Sequence, residues 1–445
     1  MNRHVTAVKH LLKHLHSGAG IRAQLARGTL RGLAVTVMGI GVGFLVQVAI
    51  ARLLGVNDFG IYSWALAWIN FLVLISCSGL EGLMVRRLPS YLVDNRPGKA
   101  RGFLLFSGYW VGGCALLSGL ALYGIAWLAQ DHILPGSLDT LAIAILVIPL
   151  FALGSLREAV LRALKHVAKG QVLEAVVRPI VLVLFAAALV YWFGVAATST
   201  TAMIAQLFAS AIVFVIGGLW MLKALPPEAR QARPDWHGKS WLIEAVPFLA
   251  ISGASAVSRQ VGTLALGTFG TAADTGIFAA ISRIADFVLM GTYAVAAIAS
   301  PLIVEVLKKN DKAGFVQIMK WGARGSFAFA LVAVLVMVVF GEWILAAFGK
   351  GFLAGHGALN VMLCGTLFGA FAGMSGFLLA MSGHAGVRAA IGWCTAACNL
   401  LVCLALVPKF GIHGAAFGYA MASLIDGVLC LFFCGRYCKV WAGLR

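Results

Sequence analysis

The sequence predicts an all-α integral membrane protein of about 12 transmembrane helices, set out as two parallel six-helix repeats with both termini in the cytoplasm. Three observations lead there. The first is composition: of 445 residues, 61% are hydrophobic and 11% charged, with a mean hydropathy of +0.95, whereas soluble domains carry about 25% charged residues. The second is where the basic residues fall, and the third is an internal repeat. A hydrocarbon core about 30 Å thick needs about 20 apolar residues per helix, so the chain holds about a dozen spans joined by short loops and no large soluble domain. The nine cysteines sit in apolar stretches without framework spacing, which speaks against a secreted disulfide scaffold or a zinc module.

Apolar runs of helical length, separated by charged or Gly/Pro clusters, place the spans in order. Span one starts near Thr29 and carries Gly39-Ile40-Gly41-Val42-Gly43. Inside a span these small residues let helices approach closely, and they read as packing rather than as a dinucleotide loop. Span two starts near Phe59, and spans three to six near Phe103, Leu138, Leu173 and Ser199. Span seven starts near Trp241 and span eight near Gly276; spans nine to twelve follow from Gly325, Ala358, Ala389 and Gly414. Pro149, Pro179, Pro247 and Pro301 lie within or beside spans, where they permit bending. Cys394 and Cys398, and likewise Cys430, Cys434 and Cys438, recur every fourth residue. Each set lines one helix face with no converging second pair, which is packing rather than metal ligation.

Lysine and arginine are retained on the cytoplasmic side of short loops. With both termini cytoplasmic, only Arg52, Lys350 and Lys409 fall in outer loops and Arg259 and Arg283 within spans, out of 34 lysines and arginines. The net charge of +18 is thus mostly a topology signal, and no nucleic-acid partner is needed to explain it. Residues 1–28 read as a basic cytoplasmic or interfacial segment without the apolar core of a signal peptide. Its His4, His10, His14 and His16 give no closed metal site. The expected organisation continues with a first lobe at 29–222, a cytoplasmic linker at 223–240, a second lobe at 241–436 and a cytoplasmic tail at 437–445.

The repeat fixes the architecture. Asp58-Phe59-Gly60-Ile61-Tyr62, followed by Phe71, returns 216 residues later as Asp274-Thr275-Gly276-Ile277-Phe278, followed by Phe287. Phe193-Gly194-Val195 returns as Phe410-Gly411-Ile412 at an offset of 217. Two matches at nearly one offset imply a duplicated unit of six spans. An even number of spans makes the repeats parallel, and such pairs enclose a site between two lobes.

The segment Arg52-Leu53-Leu54-Gly55-Val56-Asn57-Asp58-Phe59-Gly60-Ile61-Tyr62 resembles the opening of the Wzx-like oligosaccharide flippases. The runs Gly79-Leu80-Glu81-Gly82-Leu83-Met84-Val85-Arg86-Arg87 and Pro408-Lys409-Phe410-Gly411-Ile412-His413-Gly414-Ala415-Ala416 are similar to the same family. It is a branch of the multidrug/oligosaccharidyl-lipid/polysaccharide exporters. The resemblance implies a MATE-like fold whose two lobes rock about a central cavity. It also implies a multi-pass protein of the bacterial inner membrane that moves undecaprenyl-pyrophosphate-linked oligosaccharide to the periplasmic leaflet, for surface or exopolysaccharide synthesis. Its partners would be the lipid-linked anionic oligosaccharide, membrane lipids, a proton or Na⁺ and polysaccharide polymerase machinery, with no cofactor.

Ionisable groups at membrane depth cost about 2.5 to 3.5 kcal/mol each on the insertion scale and demand a partner or a wet cavity. Counted from the outer ends, Arg259 in span seven and Arg283 and Asp286 in span eight reach similar depth. Arg283 and Asp286, three residues apart, share a helix face. Two arginines and one aspartate leave a local surplus of positive charge suited to phosphate, or else form a charge network that only orients the two spans. At the repeat offset the first lobe has Gly43, Ala67 and Asn70 at these positions, so the positive charge belongs to the second lobe. Gln47 and Asn70 offer hydrogen bonds to sugar hydroxyls or to neighbouring helices. Arg52, near the outer end of span one, is a substrate contact or a snorkelling side chain. Glu81, one turn inside span two, is an ion-coupling carboxylate or the partner of Arg86 or Arg87. Asp426, near the middle of span twelve with no basic residue close in sequence, is a candidate for proton or Na⁺ coupling, or a helix-to-helix hydrogen bond.

Two further readings stay within the membrane. Export of cationic drugs by the same fold would favour acidic cavity groups, and a non-transporting scaffold for polysaccharide assembly would tolerate loss of every cavity charge. A membrane enzyme is disfavoured, because the outer loops are mostly under ten residues and offer no catalytic acid cluster.

Overall fold

The apolar runs become helices, and glycine and proline set where they end. The structure, a computed structural model, describes residues 21–130, 133–308 and 312–438; most of the basic N-terminal segment and the tail from residue 439 lie outside the described residues. In the first repeat, α1 (Ile21–Cys77) is broken into two helices at Gly55, whose φ of 76° and ψ of 175° leave helical space. Then come α2 (Leu80–Val93), α3 (Pro97–Leu128) and α4 (Ser137–Ala163). Next, α5 (Val167–Val172) runs through a π-helical turn (Leu173–Val177) into α6 (Arg178–Tyr191), and α7 (Ser199–Ala224) closes the repeat. After the short α8 (Pro227–Gln231), the second repeat comprises α9 (Gly238–Phe269), α10 (Ala272–Lys308) and α11 (Lys312–Phe348). A 3-10 turn (Lys350–Gly355) then leads to α12 (His356–Met381), α13 (Ala385–Phe410) and α14 (Ile412–Cys438).

Among the described residues, ten helical stretches are long and apolar enough to cross a membrane. One of them, Met38–Cys77, holds predicted spans one and two on either side of Gly55. Helix α10 occupies the place of the eighth predicted span. The protein is therefore an all-helical, multi-pass membrane protein. Shifting the starts of α9 to α14 back by 216 lands each within three residues of a first-repeat helix start, counting the residue after Gly55 as one.

The echoed motifs meet in space, which explains why they recur. Asp58 Oδ1 accepts the backbone N–H of Ser199, 2.8 Å away, and so caps the unsatisfied N-terminus of α7. In the second repeat Asp274 lies beside the start of α14, where a Cβ on Gly411 would stand 3.5 Å from Asp274 Oδ2. Thr271 caps the head of α10: its Oγ1 accepts the Asp274 N–H at 3.0 Å and donates to Asp274 Oδ2 at 2.9 Å.

Packing centres on α4 and α12, the fourth span of each repeat, both of which bury about half their length. Phe59, Tyr62, Phe103, Trp241, Phe348 and Phe352 are almost fully buried. Leucines and valines such as Leu45, Leu117, Leu184, Val339 and Leu401 face outward, each about two-thirds exposed. In water that surface would be a liability; against lipid it is matched to its solvent, while backbone groups are satisfied within helices.

Candidate functional site

The two repeats enclose a cavity of about 800 Å³. Five of the residues singled out in the sequence line it: Gln47 and Asn70 on α1, Arg259 on α9, and Arg283 and Asp286 on α10. Arg259 and Arg283 are exposed to the cavity. Arg283 Nη1 approaches Asp286 Oδ2 to 3.9 Å, beyond hydrogen-bond length, and the two side chains are about half exposed. The guanidiniums thus keep donors free for an anion, in fork geometry that matches phosphate oxygens. Asn399 of α13 fastens the turn of α9 that presents Arg259: its Nδ2 donates to Ser258 O at 3.0 Å, and its side chain is 2% exposed.

The first repeat contributes charge of the opposite sign, while the arginines that line the cavity both come from the second. Glu158 of α4, Gln171 of α5 and Glu174 of the π turn also line the cavity. Arg157, which a loop-by-loop count assigns to the cytoplasmic side, is 3% exposed inside the bundle. It donates to Val213 O of α7 at 2.8 Å and forms a short ion pair with Glu174. Arg178 adds a second ion pair to Glu174 at 2.8 Å and lies 4.1 Å from the centroid of the Phe151 ring. π turns of this kind recur at functional sites, because the extra residue turns a side chain out of helical register.

The other sequence candidates stand elsewhere. Arg52 Nε donates to Ala347 O in the last turn of α11, where a cation meets unsatisfied carbonyls. Glu81 stands outside the cavity lining on α2, and Arg87 pairs with Glu244 of α9 at 2.7 Å. Asp426 is not alone: Arg388, on the neighbouring α13, binds it through both guanidinium nitrogens, Nη1 to Oδ1 at 2.9 Å and Nη2 to Oδ2 at 3.3 Å.

The cavity ends where the repeats cross without side chains. A Cβ on Gly60 would stand 1.8 Å from Ala272 O, and one on Gly276 would stand 2.4 Å from Val56 O. These two glycines are the paired residues of the repeated motif. Phe59 and Phe352 stack edge to face beside them, 5.8 Å between centroids. At the ends of α2 and α9, Trp241 Nε1 donates to Tyr91 OH at 3.0 Å next to the Arg87 and Glu244 pair.

The sequence profile of a family described as "Polysaccharide biosynthesis protein" matches residues 25–306. The chain belongs to this family. A relative, an uncharacterized membrane protein of Methanocaldococcus jannaschii, is 24% identical over 410 residues, which are 85% of this chain and 78% of that protein. Among solved structures, an inward-facing multidrug resistance MATE family transporter of the MOP superfamily superposes with a TM-score of 0.72 at 12% identity, covering 92% of this chain and 98% of that one. The lipid II flippase MurJ, in an inward closed conformation, gives 0.66 at 14% identity over 90% and 86%. An outward-facing MATE transporter gives 0.60 at 11% identity over 93% and 96%. At these identities the likeness is one of fold, and the family member is a two-lobed helical protein of the MATE type.

Proposed function

We propose that the protein is a flippase that carries a polyprenyl-pyrophosphate-linked oligosaccharide from the cytoplasmic to the periplasmic leaflet of a bacterial inner membrane. The observation that carries this reading is the pair Arg259 and Arg283, exposed in a cavity between two repeats of a polysaccharide-family chain. The headgroup enters from the cytoplasmic leaflet, the arginines hold its phosphates, and the lipid tail stays in the bilayer. The lobes then rock so that the cavity opens at the far side. The sealed crossing of Gly60 and Gly276 lies at the periplasmic end in the proposed orientation, so this conformation faces inward. The higher TM-score with the inward-facing than with the outward-facing transporter supports that assignment. Substrate drives the cycle only if it binds the two conformations differently, and guanidiniums on one lobe supply that difference when the other lobe swings away.

Full-length protein reconstituted in liposomes with a fluorescent, short-chain polyprenyl-pyrophosphate glycan tests the proposal by protection of the label from an external quencher. Wild type exchanges the label between leaflets, and Arg259→Ala and Arg283→Ala slow the exchange at least tenfold. Exchange indifferent to both substitutions would refute it. Ion-coupled export of cationic drugs is the second reading, favoured by Glu158 on the cavity wall. Glu174 adds little to it, because two arginines already neutralise that carboxylate.

A further inference from the structure

The cavity wall built by the first repeat differs in kind from the arginine wall of the second. It offers acceptors. Gln171 lines the cavity, and its Oε1 is closed off there without a hydrogen-bond partner, so that it accepts from a ligand once the amide turns toward the cavity. Glu158 approaches Arg162 only to 3.8 Å, whereas Glu174 is already engaged by Arg157 and Arg178. Glycines make room for this arrangement. A Cβ on Gly170 would stand 3.1 Å from Glu158 Cγ, and one on Gly154 would stand 3.0 Å from Glu174 Oε1. A buried acceptor left bare destabilises the fold unless a bound group supplies the missing N–H or O–H.

Phosphate oxygens cannot fill that role, because they are acceptors themselves and Glu158 repels their charge. Sugar hydroxyls and acetamido N–H groups can, and a carboxylate accepts such hydrogen bonds strongly. A space of about 800 Å³ is of the size that takes a drug-sized ligand, so it admits the pyrophosphate and the first few sugars rather than a long chain.

We infer that Glu158 and Gln171 form a sugar-binding wall, so that the cavity reads its substrate in two halves: pyrophosphate on Arg259 and Arg283, and the donor groups of the sugars nearest the pyrophosphate on Glu158 and Gln171. This inference rests on the flippase reading and adds the recognition of the glycan to it.

Binding of two probes to the purified full-length protein in nanodiscs tests it: undecaprenyl pyrophosphate, and the same lipid bearing one N-acetylglucosamine. Glu158→Ala and Gln171→Leu are each expected to weaken the glycosylated lipid about tenfold, the worth of a hydrogen bond to a ligand at the stronger end of its range. Gln171→Leu should leave binding of the bare pyrophosphate lipid within about twofold, and Glu158→Ala, which removes a charge that repels phosphate, should leave it unchanged or tighten it. Arg259→Ala weakens both lipids. Gln171→Leu, which removes an acceptor that bonds nothing in the protein, leaves the melting temperature unchanged or raises it. Equal losses for both lipids, or none for either, would overturn the sugar wall while leaving the flippase reading in place. So would a fall in melting temperature for Gln171→Leu, or Glu158-dependent binding of the cationic dye rhodamine 6G without Glu158-dependent binding of the glycolipid. Wild-type protein that binds neither lipid would overturn the flippase reading and this inference with it.

Discussion

The crossing of Gly60 and Gly276 gives the sharpest mechanical prediction. A methyl group at residue 60 would stand 1.8 Å from Ala272 O, while a carbon and a carbonyl oxygen in contact need about 3.3 Å. In Gly60→Ala the two helices must therefore part by about 1.5 Å, or the sealed conformation is abandoned. Forced overpacking costs about 1–3 kcal/mol, and 2 kcal/mol changes a two-state ratio by about 30-fold. The cost falls only on the conformation in which the repeats touch here. Gly60→Ala should thus move the protein toward the state open at this end without unfolding it, and Gly276→Ala should do the same. Electron–electron distance measurements between nitroxides at residues 196 and 413, in a cysteine-free background, read the change, since Ala196 and His413 are exposed and stand at the heads of the last helices of the two repeats. A longer-distance population is expected in both variants and absent in Gly41→Ala, where an added Cβ meets nothing within 4 Å. An unchanged distribution in Gly60→Ala, or the same shift in Gly41→Ala, would show that this glycine crossing does not set the sealed conformation.

Other consequences follow from the charge pairs and the positioning contacts. Arg157→Met removes a buried partner of Glu174, and breaking one side of a buried pair costs about 3–5 kcal/mol; thermal unfolding should show a large loss that Arg157→Met with Glu174→Gln partly restores. Removing both charges of the Arg388 and Asp426 pair with Arg388→Met and Asp426→Leu should leave transport responsive to an imposed proton or Na⁺ gradient if the pair fastens α13 to α14. Loss of that response would make Asp426 the coupling carboxylate instead. Asn399→Ala frees the α9 turn at Ser258 and should raise the half-saturating lipid concentration several-fold, with about 1 kcal/mol lost from stability, as read from titrations and unfolding curves together.

The spans are legible because membrane solvent imposes a simple rule on composition, and the repeat is legible because Asp58 and Asp274 stand beside the heads of equivalent helices, α7 and α14. Arg259, Arg283 and Asp286 share a depth that can be counted from the sequence, since helices have a fixed rise per residue. The rest depended on contacts that sequence distance hides. Arg388 finds Asp426 38 positions away, and Arg52 finds a carbonyl 295 positions away. Glu158, Gln171 and Glu174 were missed for another reason. They sit near predicted span ends, where charge reads as loop, and a π turn rather than a regular helix presents Glu174. Arg157 stands a full span's length from Ser137, so the sequence reads it as a loop charge at the membrane face, and only its packing against α7 shows it to be buried.

Arg259 and Arg283 are proposed to hold the phosphates of a lipid-linked glycan while it crosses the membrane. The most direct test is the leaflet distribution of polyprenyl-linked oligosaccharide in cells lacking this protein and any redundant flippase, with wild type, Arg259→Ala or Arg283→Ala restored at matched abundance. Glycolipid should be held on the cytoplasmic face without the protein, cleared by wild type and not by either arginine variant. Normal distribution without the protein, or full clearance by both variants, would contradict it.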